Sequence, residues 1–318
     1  MLTYLLFLAG FPLLIYGADI MVRGASSIAL RLGISELAVG LTVVAMGTSA
    51  PELVVALMSA SQGANDLAIG NVVGSNISNI LLILGVSAVV CPIAMQKDVR
   101  WREIPFTVLS TIVLVALAND GLLHDGGPSA IDRGDGIALL GFLLVFLYYT
   151  FSVVQQQDVD VLDIKAQVPL PRSMAMVAGG VLGLIVGGKW IVDGAVELAS
   201  QLGMSQGLIG LTVVAIGTSL PELATSVVAV RKGKAGIVVG NVIGSNVLNL
   251  LWILGITSVI SPIRFNPALN NDIWFLLGVT ALFFLFTFTL KRNRIDRPEG
   301  VVFLVLYAGY LIFVINRG

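Results

Sequence analysis

Residues 40–53 read "GLTVVAMGTSAPEL", and residues 210–223 read "GLTVVAIGTSLPEL". When the alignment starts eight residues earlier in each copy, it needs no gaps and 15 of 22 positions are identical. At the same offset of 170 residues, "GNVVGSNISNILLILG" (70–85) matches "GNVIGSNVLNLLWILG" (240–255) at 11 of 16 positions. A repeat of this length indicates that one structural unit has been duplicated within the chain.

The composition is that of an integral membrane protein. Of the 318 residues, 57% are hydrophobic and only 12% are charged, and the mean hydropathy is +0.96. The net charge of −1 offers no basic surface for nucleic acid. Because Cys91 and His124 are the only residues of their kinds, the sequence excludes an internal disulfide and a thiolate or imidazole metal site. Any bound metal must therefore be held by oxygen.

Apolar segments of about 20 residues, the length that crosses the hydrocarbon core of a bilayer, occur ten times. They lie at roughly 3–30, 36–60, 67–90, 103–118, 136–154, 174–200, 206–229, 236–259, 273–290 and 299–316. The first has no positively charged leader and no small-residue cleavage site, which predicts a membrane helix rather than a signal peptide. We therefore predict an all-α integral membrane protein with ten transmembrane helices.

The positions of Lys and Arg predict the orientation, because these residues are enriched on the cytoplasmic side. With the N-terminus outside, 13 of the 18 fall on that side, namely Arg31, Lys97, Arg100, Arg102, Lys165, Arg172, Arg231, Lys232, Lys234, Lys291, Arg292, Arg294 and Arg297. Both termini are thus predicted to lie outside the plasma membrane, which in a prokaryote is the inner membrane.

The duplication and the helix count together predict the organisation. We divide the chain into a first five-helix repeat at 1–154, a short cytoplasmic linker at 155–172 and a second repeat at 173–318, with the shared motifs near 40–85 and 210–255. Because each repeat has an odd number of helices, the second enters the membrane from the opposite side. The ten helices are then two inverted repeats related by a two-fold axis in the membrane plane, an organisation typical of transporters.

Each copy of the first motif has helix-breaking residues inside a membrane span. They are Gly47 and Pro51 in the first copy, and Gly217 and Pro221 in the second. Proline has no N–H to donate and clashes with the preceding turn, so we expect the carbonyls around Ala45 and Ala215 to be free for other partners. Broken helices at membrane depth line cavities in transporters and indicate the binding site.

The residues around these breaks offer hard oxygen ligands, the type that Ca²⁺ prefers at about 2.3–2.6 Å. They are Thr48, Ser49, Thr218 and Ser219 as hydroxyls, Glu52 and Glu222 as carboxylates, and Ser75, Asn79, Ser245 and Asn249 from the second motif. A single Ser or Asn, or a GxxxG spacing such as Gly70 with Gly74 or Gly240 with Gly244, is more often a packing device. A glutamate at the bilayer centre costs at least about 2.5–3.5 kcal/mol and indicates function.

The paired "GTSAPE" and "GTSLPE" helices, each followed by "GNVVGSN" or "GNVIGSN", resemble the two alpha repeats of the calcium/cation antiporter superfamily, in particular the prokaryotic sodium/calcium exchangers. The resemblance covers essentially the whole chain. It implies that Glu52 and Glu222 are the principal cation ligands, and that the first and sixth helices slide as a pair across the others. It further implies that the remaining ligands are Thr48, Ser49, Thr218, Ser219, Ser75, Ser245, Asn79, Asn249 and the carbonyls of Ala45 and Ala215.

Two departures from the wider superfamily are informative. Potassium-dependent relatives carry aspartate at one or both of the positions held here by Asn79 and Asn249, so the asparagines argue against potassium dependence. The connection near 155–172 is too short to hold the regulatory calcium-binding domains of animal exchangers.

We therefore predict a secondary antiporter, not an enzyme, that exchanges Ca²⁺ for Na⁺ by alternating access. The two carboxylates carry a charge of −2, which one Ca²⁺ or two Na⁺ neutralise, and an empty site is costly to move because its charges are uncompensated. Proton/calcium exchange stays open as an alternative because buried glutamates take up protons, and a passive cation channel is the alternative from another class. Ca²⁺ and Na⁺ are transported substrates; membrane lipid is the only other partner predicted, with no cofactor and no obligate protein partner.

Overall fold

The computed structural model describes residues 2–120, 129–154, 168–202, 215–289 and 293–317. Within these ranges the chain is almost entirely helical, as the apolar spans predict. The helices are α1 (Leu2–Leu32), α2 (Glu36–Thr48), α3 (Ala50–Ser61), α4 (Asn65–Val90), α5 (Val99–Ala118), α6 (Arg133–Val154), α7 (Leu170–Gln201), α8 (Ala215–Thr218), α9 (Leu220–Arg231), α10 (Ala235–Ile260), α11 (Asn270–Phe286) and α12 (Arg297–Arg317), with a 3₁₀ turn at Pro267–Leu269.

Eight of the described helices are long and apolar enough to cross a membrane, and nine spans result if the bent pair α2 and α3 is counted as one. The seventh predicted span, 206–229, is the one not counted, because it falls partly on residues outside the described ranges, as does most of the predicted linker at 155–172. The helical membrane class is therefore confirmed, whereas ten helices in two inverted repeats remains a prediction.

Four two-residue strands connect the two halves of the chain crosswise. They are β1 (Ile93–Ala94), β2 (Ala130–Ile131), β3 (Ile263–Arg264) and β4 (Arg294–Ile295). The strand that follows α4 pairs with β4 before α12, and the strand that follows α10 pairs with β2 before α6, both antiparallel. Each half is thus hydrogen-bonded to the other at two places outside the helices.

The centre of the molecule is formed by α4 and α10. In the apolar span of α10, 94% of the residues are buried inside the protein, whereas in that of α12 only 28% are buried. A Cβ on Gly240 would lie 2.5 Å from the carbonyl oxygen of Leu37 in α2, and one on Gly244 would lie 2.6 Å from that of Leu41. The predicted packing role of this GxxxG pair is therefore confirmed, whereas a Cβ on Gly70 or Gly74 would meet no described atom within 4 Å.

The first and sixth membrane helices, α1 and α7, pack along each other in antiparallel register. Their contact is made by glycines spaced seven residues apart, which are Gly10, Gly17 and Gly24 in α1 and Gly180, Gly187 and Gly194 in α7. A Cβ on Gly17 would lie 2.9 Å from the carbonyl oxygen of Gly180, so the backbones touch. At one end the Ser173 hydroxyl donates to the Ser27 hydroxyl at 2.8 Å. These contacts make the two helices one packing unit.

Candidate cation-binding site

A break in the helix places the first motif at the centre of the molecule. α2 and α3 meet at Ser49 with a bend of 46°, and Pro51 lies in the first turn of α3, where a missing N–H is tolerated. The second copy has the same break between α8 and α9. Ser49 has φ −83° and ψ 6°, and its repeat equivalent Ser219 has φ −86° and ψ 2°. The two motifs thus have the same local backbone.

The carbonyl of Ala45 already accepts a hydrogen bond, so the expectation that it is free of protein partners is wrong. Because a carbonyl oxygen has two lone pairs, its role as a cation ligand stays a prediction. The backbone N–H of Ser49 donates to the Ala45 carbonyl oxygen at 2.9 Å. The Thr48 hydroxyl oxygen lies 3.3 Å from the same atom. The physical reason is that Pro51 removes the bond to the residue four positions earlier, which is Gly47 rather than Ala45.

The second copy differs in this detail. The backbone N–H of Ser219 donates to the carbonyl of Ile216, three positions earlier, at 3.2 Å, whereas that of Ser49 donates to the carbonyl four positions earlier. Thr218, the last residue of α8, is partly buried. The two breaks are therefore alike in backbone angles and differ in the carbonyl to which the described serine N–H bond goes.

Glu52 and Glu222 are both deeply buried, with 1% and 2% of their surfaces exposed. Each lies in the first turn of a helix, α3 or α9, where the helix dipole favours a carboxylate. The Ser49 hydroxyl donates to Oε1 of Glu222 at 3.2 Å, so the first motif contacts the carboxylate of the second. Oε2 of each glutamate is buried and has no hydrogen-bond partner among the described residues.

The second motif adds two asparagines at sites where the helix is locally widened. α4 contains a π-helical stretch at Asn79–Leu84, and α10 contains one at Asn249–Ile253. Such stretches are frequent at functional sites, and nothing in the sequence predicted them. Both asparagine side chains are buried, and their Oδ1 atoms have no hydrogen-bond partner in the described part of the chain.

The predicted hydroxyl ligands are placed around the same region, with two different environments. Thr48 is buried, and its hydroxyl donates to Oδ1 of Asn241 at 3.1 Å. The hydroxyl oxygens of Ser219 and Ser245 are buried and have no described partner. Ser75 is buried on α4.

Four asparagines that the sequence reasoning missed surround the predicted ligands. Nδ2 of Asn71 donates to the backbone carbonyl of Glu52 at 3.2 Å, and Nδ2 of Asn241 donates to that of Glu222 at 3.3 Å. Helical periodicity offered a signal for these two, because Asn71 lies four residues before Ser75 on the same helix face. The other two, Asn76 and Asn246, lie off that face and bond to the asparagines of the opposite half.

The donor atoms of the candidate site are of the type that hard cations prefer. Within the described ranges, no group of three or more His, Cys, Asp or Glu side chains is close enough to hold a metal, so the charge comes from two carboxylates and the remaining donors are neutral oxygens. Buried oxygens without partners are costly to leave unpaired. Six of them come from predicted ligands, namely Glu52 Oε2, Glu222 Oε2, Asn79 Oδ1, Asn249 Oδ1, Ser219 Oγ and Ser245 Oγ.

Comparison with known proteins places the chain among transporters. The family model described as "Sodium/calcium exchanger protein" matches residues 2–152 and 172–316. The putative antiporter CaxA of Alkalimonas amylolytica is 39% identical over 312 residues, which cover 95% of each chain. Inner membrane protein YrbG of Escherichia coli is 37% identical over 324 residues, 99% of this chain and 96% of the relative.

Among solved structures, the sodium-calcium exchanger NCX_Mj soaked with 2.5 mM Na⁺ and 1 mM Sr²⁺ superposes with a TM-score of 0.84. The two chains are 32% identical, and the match covers 98% of each. The similarity therefore extends over the whole described fold, including the helices that carry the candidate site.

Proposed function

The chain belongs to the sodium/calcium exchanger protein family, and from that premise we propose that it is a secondary antiporter that exchanges Ca²⁺ for Na⁺ across the membrane by alternating access. The observation that carries this proposal is the pair of buried glutamates, one from each motif, whose Oε2 atoms have no described protein partner. Ions with oxygen preference supply what these atoms lack. The similarity to NCX_Mj, a sodium-calcium exchanger, supports the same pair of ions.

The proposed ligands are the full predicted set. Glu52 and Glu222 supply the charge, and the neutral donors are Thr48, Ser49, Thr218, Ser219, Ser75, Ser245, Asn79, Asn249 and the carbonyls of Ala45 and Ala215. The hydrogen bond that the Ala45 carbonyl accepts from the backbone N–H of Ser49 leaves a lone pair of that oxygen for a cation. This set contains only oxygen atoms, in agreement with the preference of Ca²⁺ and Na⁺ over softer metals.

Competition between the two ions follows from the charge of the site. Two carboxylates carry −2, which one Ca²⁺ or two Na⁺ neutralise, and the ions share ligands, so they displace each other. In the empty state the carboxylates lie in a low-dielectric interior without compensation, which makes movement of the empty site costly. The site therefore crosses the membrane mainly with ions bound, which gives exchange of Ca²⁺ for Na⁺ rather than a leak of either ion.

The moving part in this proposal is the packing unit of α1 and α7. α7 lies directly against both breaks, because a Cβ on Gly47 would lie 2.7 Å from Val181, and one on Gly217 would also contact α7, at Val192. A displacement of α7 along its axis therefore changes the cover over both motifs at once. Both chain termini are proposed to lie outside the inner membrane, as the Lys and Arg distribution favours.

Flux measurement in proteoliposomes tests the proposal against its rivals. We expect Ca²⁺ uptake when Na⁺ is loaded inside the vesicles, and no uptake with equal Na⁺ on both sides. Ca²⁺ uptake that is independent of Na⁺ and driven by a pH gradient would contradict the proposal and identify proton/calcium exchange. Uptake that runs downhill without any counter-ion would identify a channel instead.

A further inference from the structure

Four buried asparagines connect the two halves at the centre of the molecule. Nδ2 of Asn79 donates to Oδ1 of Asn246 at 3.0 Å, and Nδ2 of Asn249 donates to Oδ1 of Asn76 at 3.1 Å. In addition, Nδ2 of Asn76 donates to the backbone carbonyl of Asn246 at 3.4 Å. Asn246 is the repeat equivalent of Asn76, and Asn249 is that of Asn79, each at the offset of 170 residues. The first two bonds are therefore equivalent, with the roles of the two halves exchanged.

These bonds determine which end of each amide stays available as a ligand. An asparagine side chain carries a donor NH₂ at one end and an acceptor oxygen at the other. Asn79 and Asn249 donate their NH₂ groups to the asparagine of the opposite half, and their Oδ1 atoms are buried without a described partner. Reversal of either amide would leave NH₂ where the unpartnered oxygen now lies and would oppose two acceptor oxygens across the bond.

We propose that Asn76 and Asn246 are positioning residues for cation binding, which hold the amides of Asn249 and Asn79 with their oxygens turned toward the transported ion. The inference rests on the proposed function, because it concerns how that same site selects a positive charge. An NH₂ group facing the candidate site repels a cation, whereas an amide oxygen is a ligand that Ca²⁺ accepts. Each half of the chain thereby orients a ligand that belongs to the other half.

The pair Asn79 and Asn246 is the better one for a test. In the described part of the chain the Asn246 side chain bonds to Asn79, whereas the Asn76 side chain also bonds to the backbone of Asn246. Partners that orient a metal ligand typically contribute about 10- to 100-fold in affinity. We therefore expect Asn246→Ala to raise the apparent KM for Ca²⁺ in vesicle flux by about that factor. The maximal rate at saturating Ca²⁺ should stay close to that of the unmodified protein.

The measurement that separates positioning from a general structural role is a double-mutant cycle. If Asn246 acts through Asn79, the double variant has the KM of Asn79→Ala alone. Asn246→Asp keeps an acceptor oxygen for the Asn79 amide and should not raise KM. Thr257→Val is the matched control, because Thr257 is buried on the same helix α10 and has no described hydrogen-bond partner; it should leave KM unchanged.

Each result decides the question. Additive effects of the two alanine variants, or an unchanged KM in Asn246→Ala, would overturn the positioning role while leaving antiport intact. An unchanged KM in Asn79→Ala would overturn it too, since the oriented residue would then be no ligand. Absence of sodium-driven Ca²⁺ flux in the unmodified protein would instead reject the proposed function. If Asn246→Ala does not purify as a single species, Asn246→Ser replaces it; serine is polar but too short to reach Asn79, so the same rise is expected.

Discussion

We expect Glu52→Gln and Glu222→Gln each to abolish Ca²⁺ exchange in vesicles while the protein still inserts and purifies as a single species. Glutamine has the shape of glutamate without its charge, so the site falls from −2 to −1 and no longer balances Ca²⁺. Leaving a buried charge uncompensated costs roughly 3–5 kcal/mol, which corresponds to a loss of at least about 100-fold in binding. The effect should be equal for the two variants, since both glutamates are buried in equivalent helix turns.

Glu197→Gln provides the control for this charge change. Glu197 is exposed on α7, and its carboxylate accepts a hydrogen bond from Gln201, so its neutralisation should leave transport unaltered. Size-exclusion chromatography shows whether each variant is intact before its flux is measured. Normal exchange by Glu52→Gln or Glu222→Gln would contradict the assignment of the cation site.

Gly180→Ala is expected to impair both stability and transport, because it separates α1 from α7. A Cβ at this position would lie 2.7 Å from the carbonyl oxygen of Gly17 and 2.7 Å from Cβ of Met21. Both neighbours are parts of a helix that has to shift as a whole. Overpacking of this kind costs about 1–3 kcal/mol, and we expect a melting temperature several degrees lower together with a slower flux.

Gly179→Ala is the matched control for that variant. It makes the same substitution one residue earlier on α7, where a Cβ would meet no described atom within 4 Å. Because alanine is the better helix former by about 1 kcal/mol, this variant should be as stable as the unmodified protein or more so. Equal melting temperatures and equal fluxes for the two alanine variants would show that the close approach of α1 and α7 has no energetic role.

The membrane class and the candidate ligands could be predicted from the sequence because each is indicated by a local sequence pattern. Long apolar runs predict membrane helices, and a glutamate inside such a run costs so much that it indicates a site. The equivalence of Glu52 and Glu222 followed from the repeat, and both are buried as expected.

Other features depend on the folded structure and left no readable pattern. Which carbonyl a proline break frees depends on the turn that forms around it, and so the expectation that the Ala45 carbonyl has no hydrogen bond was wrong. The π-helical stretches that begin at Asn79 and Asn249 have ordinary helix-forming sequences. Asn76 and Asn246 act across the halves, and no local periodicity identifies a partner 170 residues away. The seven-residue glycine spacing of α1 and α7 is visible in the sequence, and small residues at such spacing indicate a close helix pair.

The reciprocal asparagine bonds are of the kind that symmetric homodimers form, in which residue i of one copy meets residue j of the other and the reverse contact also occurs. In the predicted two-repeat organisation, one five-helix unit would carry both partners of this bond, yet the bond would join two units. Such a unit would satisfy its buried amides only by associating with a second copy of itself. The duplicated chain would then keep the contacts of a dimer interface, and its two units would be free to diverge wherever the reciprocal contacts do not constrain them.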